Sequence, residues 1–63
     1  MTHELVTLKD VRTRIPYSKV HIYRLMRKGS FPKAVKLGAN RVAWVAEEID
    51  QWIKARIQER DLQ

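Results

Sequence analysis

The sequence contains no cysteine, so neither a disulfide framework nor a cysteine-ligated zinc site can support the fold. Its two histidines have no spacing that gathers metal ligands. No apolar run approaches the roughly 20 residues of a membrane-spanning helix, and the first ten residues lack the apolar core of a signal peptide. We therefore expect a cytoplasmic protein without a membrane segment, a metal or a cofactor.

Acidic residues are absent from a long central block, residues 11–46. These 36 residues carry nine Lys or Arg, whereas an even scatter of the chain's seven acids would place about four there. Because the block also shows ordered helix and turn signals, it indicates a folded surface for a polyanion. With a pI near 10.2, the partner classes are nucleic acid, an anionic membrane surface or an acidic protein.

The ends of a first helix are marked in the sequence. Thr7 and Asp10 have the spacing of a capping box, which predicts a helix that begins at Leu8. Pro16 cannot continue this helix, because its ring fixes φ and removes an amide donor. Residues 1–6 are expected to be a frayed lead-in, with a short extended piece at Leu5-Val6.

A second helix is predicted over residues 19–28. Ser18 is its N-cap candidate, and Gly29 suits the left-handed conformation that ends a helix. The helical period gives an apolar face of Ile22, Leu25 and Met26, and an exposed face of Val20, Arg24 and Arg27 flanked by Lys19 and Lys28. Two helices, a short turn and a basic second helix are typical of a helix-turn-helix.

A β-hairpin is predicted over residues 34–45. The Gly-Ala-Asn tripeptide at 38–40 supplies residues that tolerate positive φ in a tight turn. Alternation after the turn places Val42 and Trp44 on one side and Ala43 on the other. An isolated hairpin is marginal, so this one must pack on the helices, in the position called a wing.

A last helix is predicted over residues 47–60. Its N-cap is poor, since Val45 and Ala46 offer no side-chain acceptor. Acidic residues in the first turn suit the helix dipole. The expected buried stripe consists of Ile49, Trp52, Ile53 and Ile57.

No catalytic constellation is present in the sequence. Glu47 and Glu48 are adjacent on a helix, so they point about 100° apart and cannot flank a substrate. Tyr23 and Ser18 lack a partnered base. We therefore expect no enzyme activity and no small-molecule substrate.

The second helix is the main DNA-binding candidate, because an α-helix fits the major groove of B-DNA. Arg24, in the middle of the exposed face, suits a bidentate contact to guanine, and Val20 suits a thymine methyl. Tyr23 is expected to pack its ring and to turn its hydroxyl outward. Phosphate contacts are expected from Lys19, Arg27 and Lys28 and from the amides around Ser18. The alternative is a solvated cationic face without a ligand.

The wing is the second DNA-binding candidate. Asn40 and Arg41 at its tip either enter a narrow minor groove or form a plain turn with a solvated arginine. Lys36 is expected to face the DNA backbone. Trp44 and Trp52 could form a stacking platform for single strands, but both fall on apolar faces, which favours a place in the core.

Several short motifs together resemble the AlpA-type phage and prophage regulators, within the MerR-like winged-helix group that also includes excisionases. They cover about three quarters of the chain in the family's order, and their combination is specific although no single piece is. The motifs are Ser18-x-x-x-Ile22-Tyr23-Arg24, Gly29-Ser30-Phe31-Pro32, Val35-Lys36-Leu37-Gly38, Asn40-Arg41-Val42-Ala43-Trp44 and Glu48-Ile49-Asp50-x-Trp52-Ile53.

The resemblance implies a winged helix-turn-helix that binds DNA and switches genes of integrated elements. It implies recognition-helix roles for Ser18, Tyr23 and Arg24, and a wing tip at residues 40–41. Family members often have Gly where this chain has Pro16. They frequently have Pro at position 34, which is Ala here.

These observations predict a small α+β fold of the winged helix-turn-helix (MerR-like) type: two N-terminal helices, a hairpin wing and one C-terminal helix, in a single domain of residues 1–63. The predicted function is sequence-specific binding of double-stranded DNA as a transcriptional regulator associated with the bacterial nucleoid. An excisionase-like factor that bends attachment-site DNA and a small protein-binding inhibitor are the alternatives. We expect a monomer that binds adjacent DNA repeats.

Overall fold

The computed structural model describes residues 3–62, which form three helices and a three-stranded antiparallel sheet in the strand order β1-β3-β2. The elements in chain order are β1 (Leu5–Val6), α1 (Leu8–Arg14), α2 (Lys19–Arg27), β2 (Val35–Gly38), β3 (Arg41–Val45) and α3 (Ala46–Asp61). The predicted small α+β fold, with two N-terminal helices, a hairpin wing and one C-terminal helix, is confirmed.

The N-terminal ends of α1 and α2 have the predicted caps. Thr7 Oγ1 accepts a hydrogen bond from the Asp10 amide at 3.2 Å, and Asp10 Oδ2 accepts one from the Thr7 amide at 3.2 Å. Ile15, before the proline, is extended at φ −127° and ψ 119°, which ends α1. Ser18 Oγ accepts from the His21 amide at 3.2 Å and starts α2.

The C-terminal end of α2 is a complete Schellman motif. Gly29 has φ +75°, its amide donates to the Met26 carbonyl at 3.1 Å, and the Ser30 amide donates to the Leu25 carbonyl at 2.9 Å. Lys28 is the C-cap, so α2 ends one residue earlier than predicted. The motif turns the chain away from the helix axis and leads it into the wing.

The sheet has one more strand than the predicted hairpin. Leu5 and Val6 form the short extended piece expected at the end of the lead-in, and they pair with Val45 and Trp44 of β3, a pairing that the sequence does not predict. The rest of that expectation includes Met1 and Thr2, which lie outside the described residues. The third strand makes β3 the central strand, and three strands packed on helices are stable where a lone hairpin is not.

The turn of the wing differs from the prediction. Within residues 3–62, only Gly29 has a positive φ, so the positive φ predicted for residues 38–40 is wrong. Lys36 lies opposite Val42 and Gly38 lies opposite Arg41, which leaves Leu37 as an extra residue in β2. This β-bulge supplies the local bend and additional twist, so the turn itself needs no left-handed residue.

The two tryptophans pack differently. Trp44, in the central strand, is fully buried, and its Nε1–H donates to the Pro32 carbonyl at 3.0 Å. Trp52 on α3 is half-buried, and its Nε1–H donates to the Ser30 carbonyl at 2.8 Å. Its ring lies 5.0 Å from that of Phe31, centroid to centroid. Both belong to the core, as predicted.

The buried stripe of α3 is shorter than predicted. Ile49 is fully buried and Ile53 packs against the core, but Ile57 is 46% exposed. A helix of 16 residues is about 24 Å long, and the core of this small domain does not extend along all of it. The prediction that Ile57 is buried is therefore wrong.

Candidate nucleic-acid interface

The exposed face of α2 borders an open groove. We call it the α2 groove, and it is lined by Lys19, Val20, Tyr23, Arg24 and Arg27. The helical period brings these five side chains together, since residues three and four apart share a face. Val20 is 66% exposed, an unusual position for a valine among cations. The α2 groove combines positive charge with one apolar group, the types of contact that base edges and phosphates require.

A second groove lies between α2 and the wing. We call it the wing groove, and it is lined by Thr7, Leu8, Lys9, Lys19, Tyr23, Leu37, Asn40, Arg41, Val42 and Ala43. Lys19 and Tyr23 therefore line both grooves. Because two residues are shared, the α2 face and the wing tip form one continuous surface, and Arg24, Arg27 and Arg41 all lie on it.

Tyr23 occupies the boundary between the two grooves. Its side chain is half-buried, and its ring centroid lies 6.5 Å from that of Trp44, with an angle of 58° between the ring planes. The expected packing of the Tyr23 ring is thus present. This contact connects the exposed face of α2 to the central strand of the sheet.

Three of the predicted site residues line neither groove: Ser18, Lys28 and Lys36. Ser18 caps the start of α2, and Lys28 is the C-cap at its other end. Lys36 lies on β2 next to the bulged residue Leu37, which does line the wing groove. The structure places these three at the margins of the surface, all of them exposed.

The wing groove contains one cation that sequence reasoning missed, Lys9. Lys9 precedes Asp10 and lies outside the acid-free block, so the charge pattern gave no reason to select it. Its place depends on the pairing of β1 with β3, which holds the start of α1 near the wing. No local signal in the sequence predicts that proximity.

The ion pairs of residues 3–62 are all made away from the two grooves. The salt bridges join His3 to Glu47, Arg14 to Asp50, Arg56 to Glu59 and Arg60 to Asp61. Every one of these acids belongs to α3. In the described part of the chain, none of the cations that line the grooves has an acidic partner, and no acid lines either groove. Their positive field is therefore available to an external anion.

Other kinds of site are not seen in the described residues. Residues 3–62 contain no group of three or more His, Cys, Asp or Glu side chains close enough to hold a metal ion. Within the same range, no helix combines the length and apolar character that crossing a membrane requires.

Comparison with protein families gives a match over most of the chain. The model of the family described as "Prophage CP4-57 regulatory protein (AlpA)" matches residues 4–57. This chain belongs to the AlpA family. The resemblance inferred from the motifs is thereby confirmed. The matched range includes α1, α2, the wing and every residue of both grooves, so the candidate surface lies wholly within the AlpA domain.

A phage relative covers a shorter segment. "Uncharacterized protein ORF88" of Enterobacteria phage P4 is 48% identical to this chain over 40 residues. The alignment spans 64% of this chain and 46% of the relative, so the chain covers just under half of the length of that relative. AlpA membership and this similarity associate the chain with a family of phage and prophage regulatory proteins.

Proposed function

We propose that this AlpA-family protein is a sequence-specific regulator that binds double-stranded DNA of a phage or prophage-like element. In this proposal α2 enters the major groove and the wing contacts the flanking DNA. One observation carries the proposal: Lys19 and Tyr23 line both grooves, so the basic face of α2 and the wing tip form a single surface without acids. A helix beside a hairpin suits a duplex, because the major groove admits a helix while the backbone remains available to the wing.

The roles proposed for the side chains follow their positions. Arg24, exposed on α2, reads a guanine, and the neighbouring Val20 contacts a thymine methyl. Arg41 and Asn40, exposed at the wing tip, enter the minor groove. Phosphates are contacted by Lys19, Arg27, Lys28 and Lys36, by the hydroxyl of Tyr23 and by the amides that follow Ser18.

The family description supports a regulatory role, and the finer role that we propose is transcriptional control in the bacterial cytoplasm, at the nucleoid. An excisionase-like factor of MerR-like architecture would use the same surface to bend attachment-site DNA. A promoter reporter in cells without an integrase separates the two roles. A regulator changes the reporter output, whereas a recombination factor changes only recombination and only with integrase present.

We propose that single copies bind, side by side where the DNA sites are repeated. One chain presents α2 and the wing tip on a single surface, so one copy is sufficient for the proposed contacts. Analytical ultracentrifugation of the free protein and of complexes with one or two sites measures this directly. A stable dimer in the absence of DNA would contradict the proposal.

DNA binding is tested by a salt titration. Fluorescence anisotropy of a labelled duplex of about 20 base pairs, two helical turns, gives the dissociation constant at several salt concentrations. Neutralisation of about six phosphates predicts a slope near −5 for log K against log[salt]. A flat titration, together with tight binding to an acidic protein, would overturn the proposal in favour of a protein-binding inhibitor.

A further inference from the structure

We infer that the wing groove binds the sugar-phosphate backbone of one DNA strand, and that Lys9 of α1 contacts a phosphate there. This inference rests on the proposed function and deepens it. It adds a third element to the interface, since the first turn of α1 would then contact the DNA in addition to α2 and the wing. The ligand class is a phosphodiester of a DNA duplex.

The geometry brings three cations from three separate elements to one concave surface. Lys9 comes from α1, Lys19 from α2 and Arg41 from the wing, and all three are exposed. Tyr23 and Asn40 line the same groove and add a hydroxyl and an amide that can donate hydrogen bonds to phosphate oxygens. Two apolar residues of β3 also line the groove, with Ala43 buried and Val42 half-buried.

The charges of this groove have no internal counterion in residues 3–62. Lys9, Lys19 and Arg41 take part in none of the salt bridges of the described chain. Asp10, the acid next to Lys9, is held by Thr7: its Oδ2 accepts from the Thr7 amide at 3.2 Å and from the Thr7 hydroxyl at 3.1 Å. The carboxylate is thus engaged in the cap of α1 and does not line the groove. Three cations without an acidic partner around one groove produce a positive field that attracts an anion from outside the chain.

The test compares two substitutions that remove the same charge. Lys9→Gln removes a cation of the wing groove, whereas Lys54→Gln removes an exposed cation on α3 that lines neither groove. Lys9→Arg keeps the charge and is the rescue variant. The anisotropy titration uses the labelled duplex of about 20 base pairs, and circular dichroism melts confirm that all variants are folded.

The loss of one phosphate contact makes the slope of log K against log[salt] shallower by about 0.9 and lowers the affinity roughly eightfold at 0.1 M salt. We expect this for Lys9→Gln, with Lys9→Arg close to the wild type and Lys54→Gln unchanged in slope. Equal slopes for Lys9→Gln and Lys54→Gln would overturn the inference alone, because the wild type would still bind DNA. A flat titration of the wild type would overturn the proposed function and this inference together.

A lipid headgroup presents the same phosphate chemistry, so the titration is repeated with vesicles of phosphatidylglycerol. We expect weak vesicle binding that Lys9→Gln and Lys54→Gln reduce to the same extent, as general charge attraction does. If Lys9→Gln selectively lowers vesicle binding while duplex binding is unchanged, the wing groove is a membrane site and the inference is wrong.

Discussion

Replacement of Trp44 by phenylalanine tests whether the buried tryptophan of β3 holds the domain together. The substitution removes the hydrogen bond from Nε1–H to the Pro32 carbonyl, which is partly buried, and leaves that acceptor unpaired. This costs about 1–3 kcal/mol. The smaller ring also leaves a cavity in a site that is fully buried, and a few tens of Å³ cost about 1 kcal/mol more.

Trp52→Phe is the matched control. Trp52 also donates one hydrogen bond to a backbone carbonyl, that of Ser30, but this bond is exposed and the side chain is half-buried. Water can replace the lost donor, so the expected cost is about 0.5–1 kcal/mol. The two substitutions are chemically identical, and they differ in the burial of the site.

The predicted difference is large for a domain of 63 residues, whose free energy of unfolding is on the order of 3–9 kcal/mol. We expect Trp44→Phe to lower this free energy by about 2–4 kcal/mol and Tm by roughly 10–30 °C, and Trp52→Phe to lower Tm by less than about 8 °C. Urea unfolding is followed by far-ultraviolet circular dichroism, since each variant alters the fluorescence signal itself. Equal losses in the two variants would refute the assignment of Trp44 as the central core residue.

Two further pairs of variants test the backbone and the interface. Gly29→Ala should lower the free energy of unfolding by about 1–2 kcal/mol, because φ +75° strains any residue with a Cβ, whereas Gly38→Ala should be neutral in the same urea unfolding experiment. A neutral Gly29→Ala would contradict the Schellman cap. Arg24→Ala should weaken cognate DNA by roughly 1–3 kcal/mol relative to random DNA, and Lys28→Ala should weaken both alike, as measured by competition binding. If both variants behave in the same way on the two DNAs, the proposed division between base and phosphate contacts is wrong.

The features that the sequence predicts well are those that local chemistry determines. Thr7 and Ser18 cap the helices that follow them, and Gly29 ends α2, because each needs only neighbours within a few residues. The division of α2 into a core face and a basic face follows from the helical period alone. The residues of the α2 groove were therefore predictable as a set.

The features that sequence reasoning missed depend on contacts between distant parts of the chain. Strand β1 is only two residues long, and its pairing with β3 joins Leu5 to Val45 across 40 positions. The place of Lys9 in the wing groove follows from that pairing. The exposure of Ile57 depends on how far the core extends along α3, a property of the assembled domain. Periodicity describes a face, but it does not state how much of the face finds a partner.

The interface and the core depend on the same strand. β3 begins at Arg41 in the wing tip, contains Trp44 in the core, and ends at Val45, which pairs with β1. The ring of Tyr23 lies near that of Trp44, which belongs to the wing strand β3 and to the core. This contact therefore positions α2 relative to the wing at the boundary between the two grooves. The cations themselves repel one another, and they remain close because this strand holds the elements that carry them. In the proposed complex, the position of β3 therefore sets the spacing with which α2 and the wing would meet a duplex.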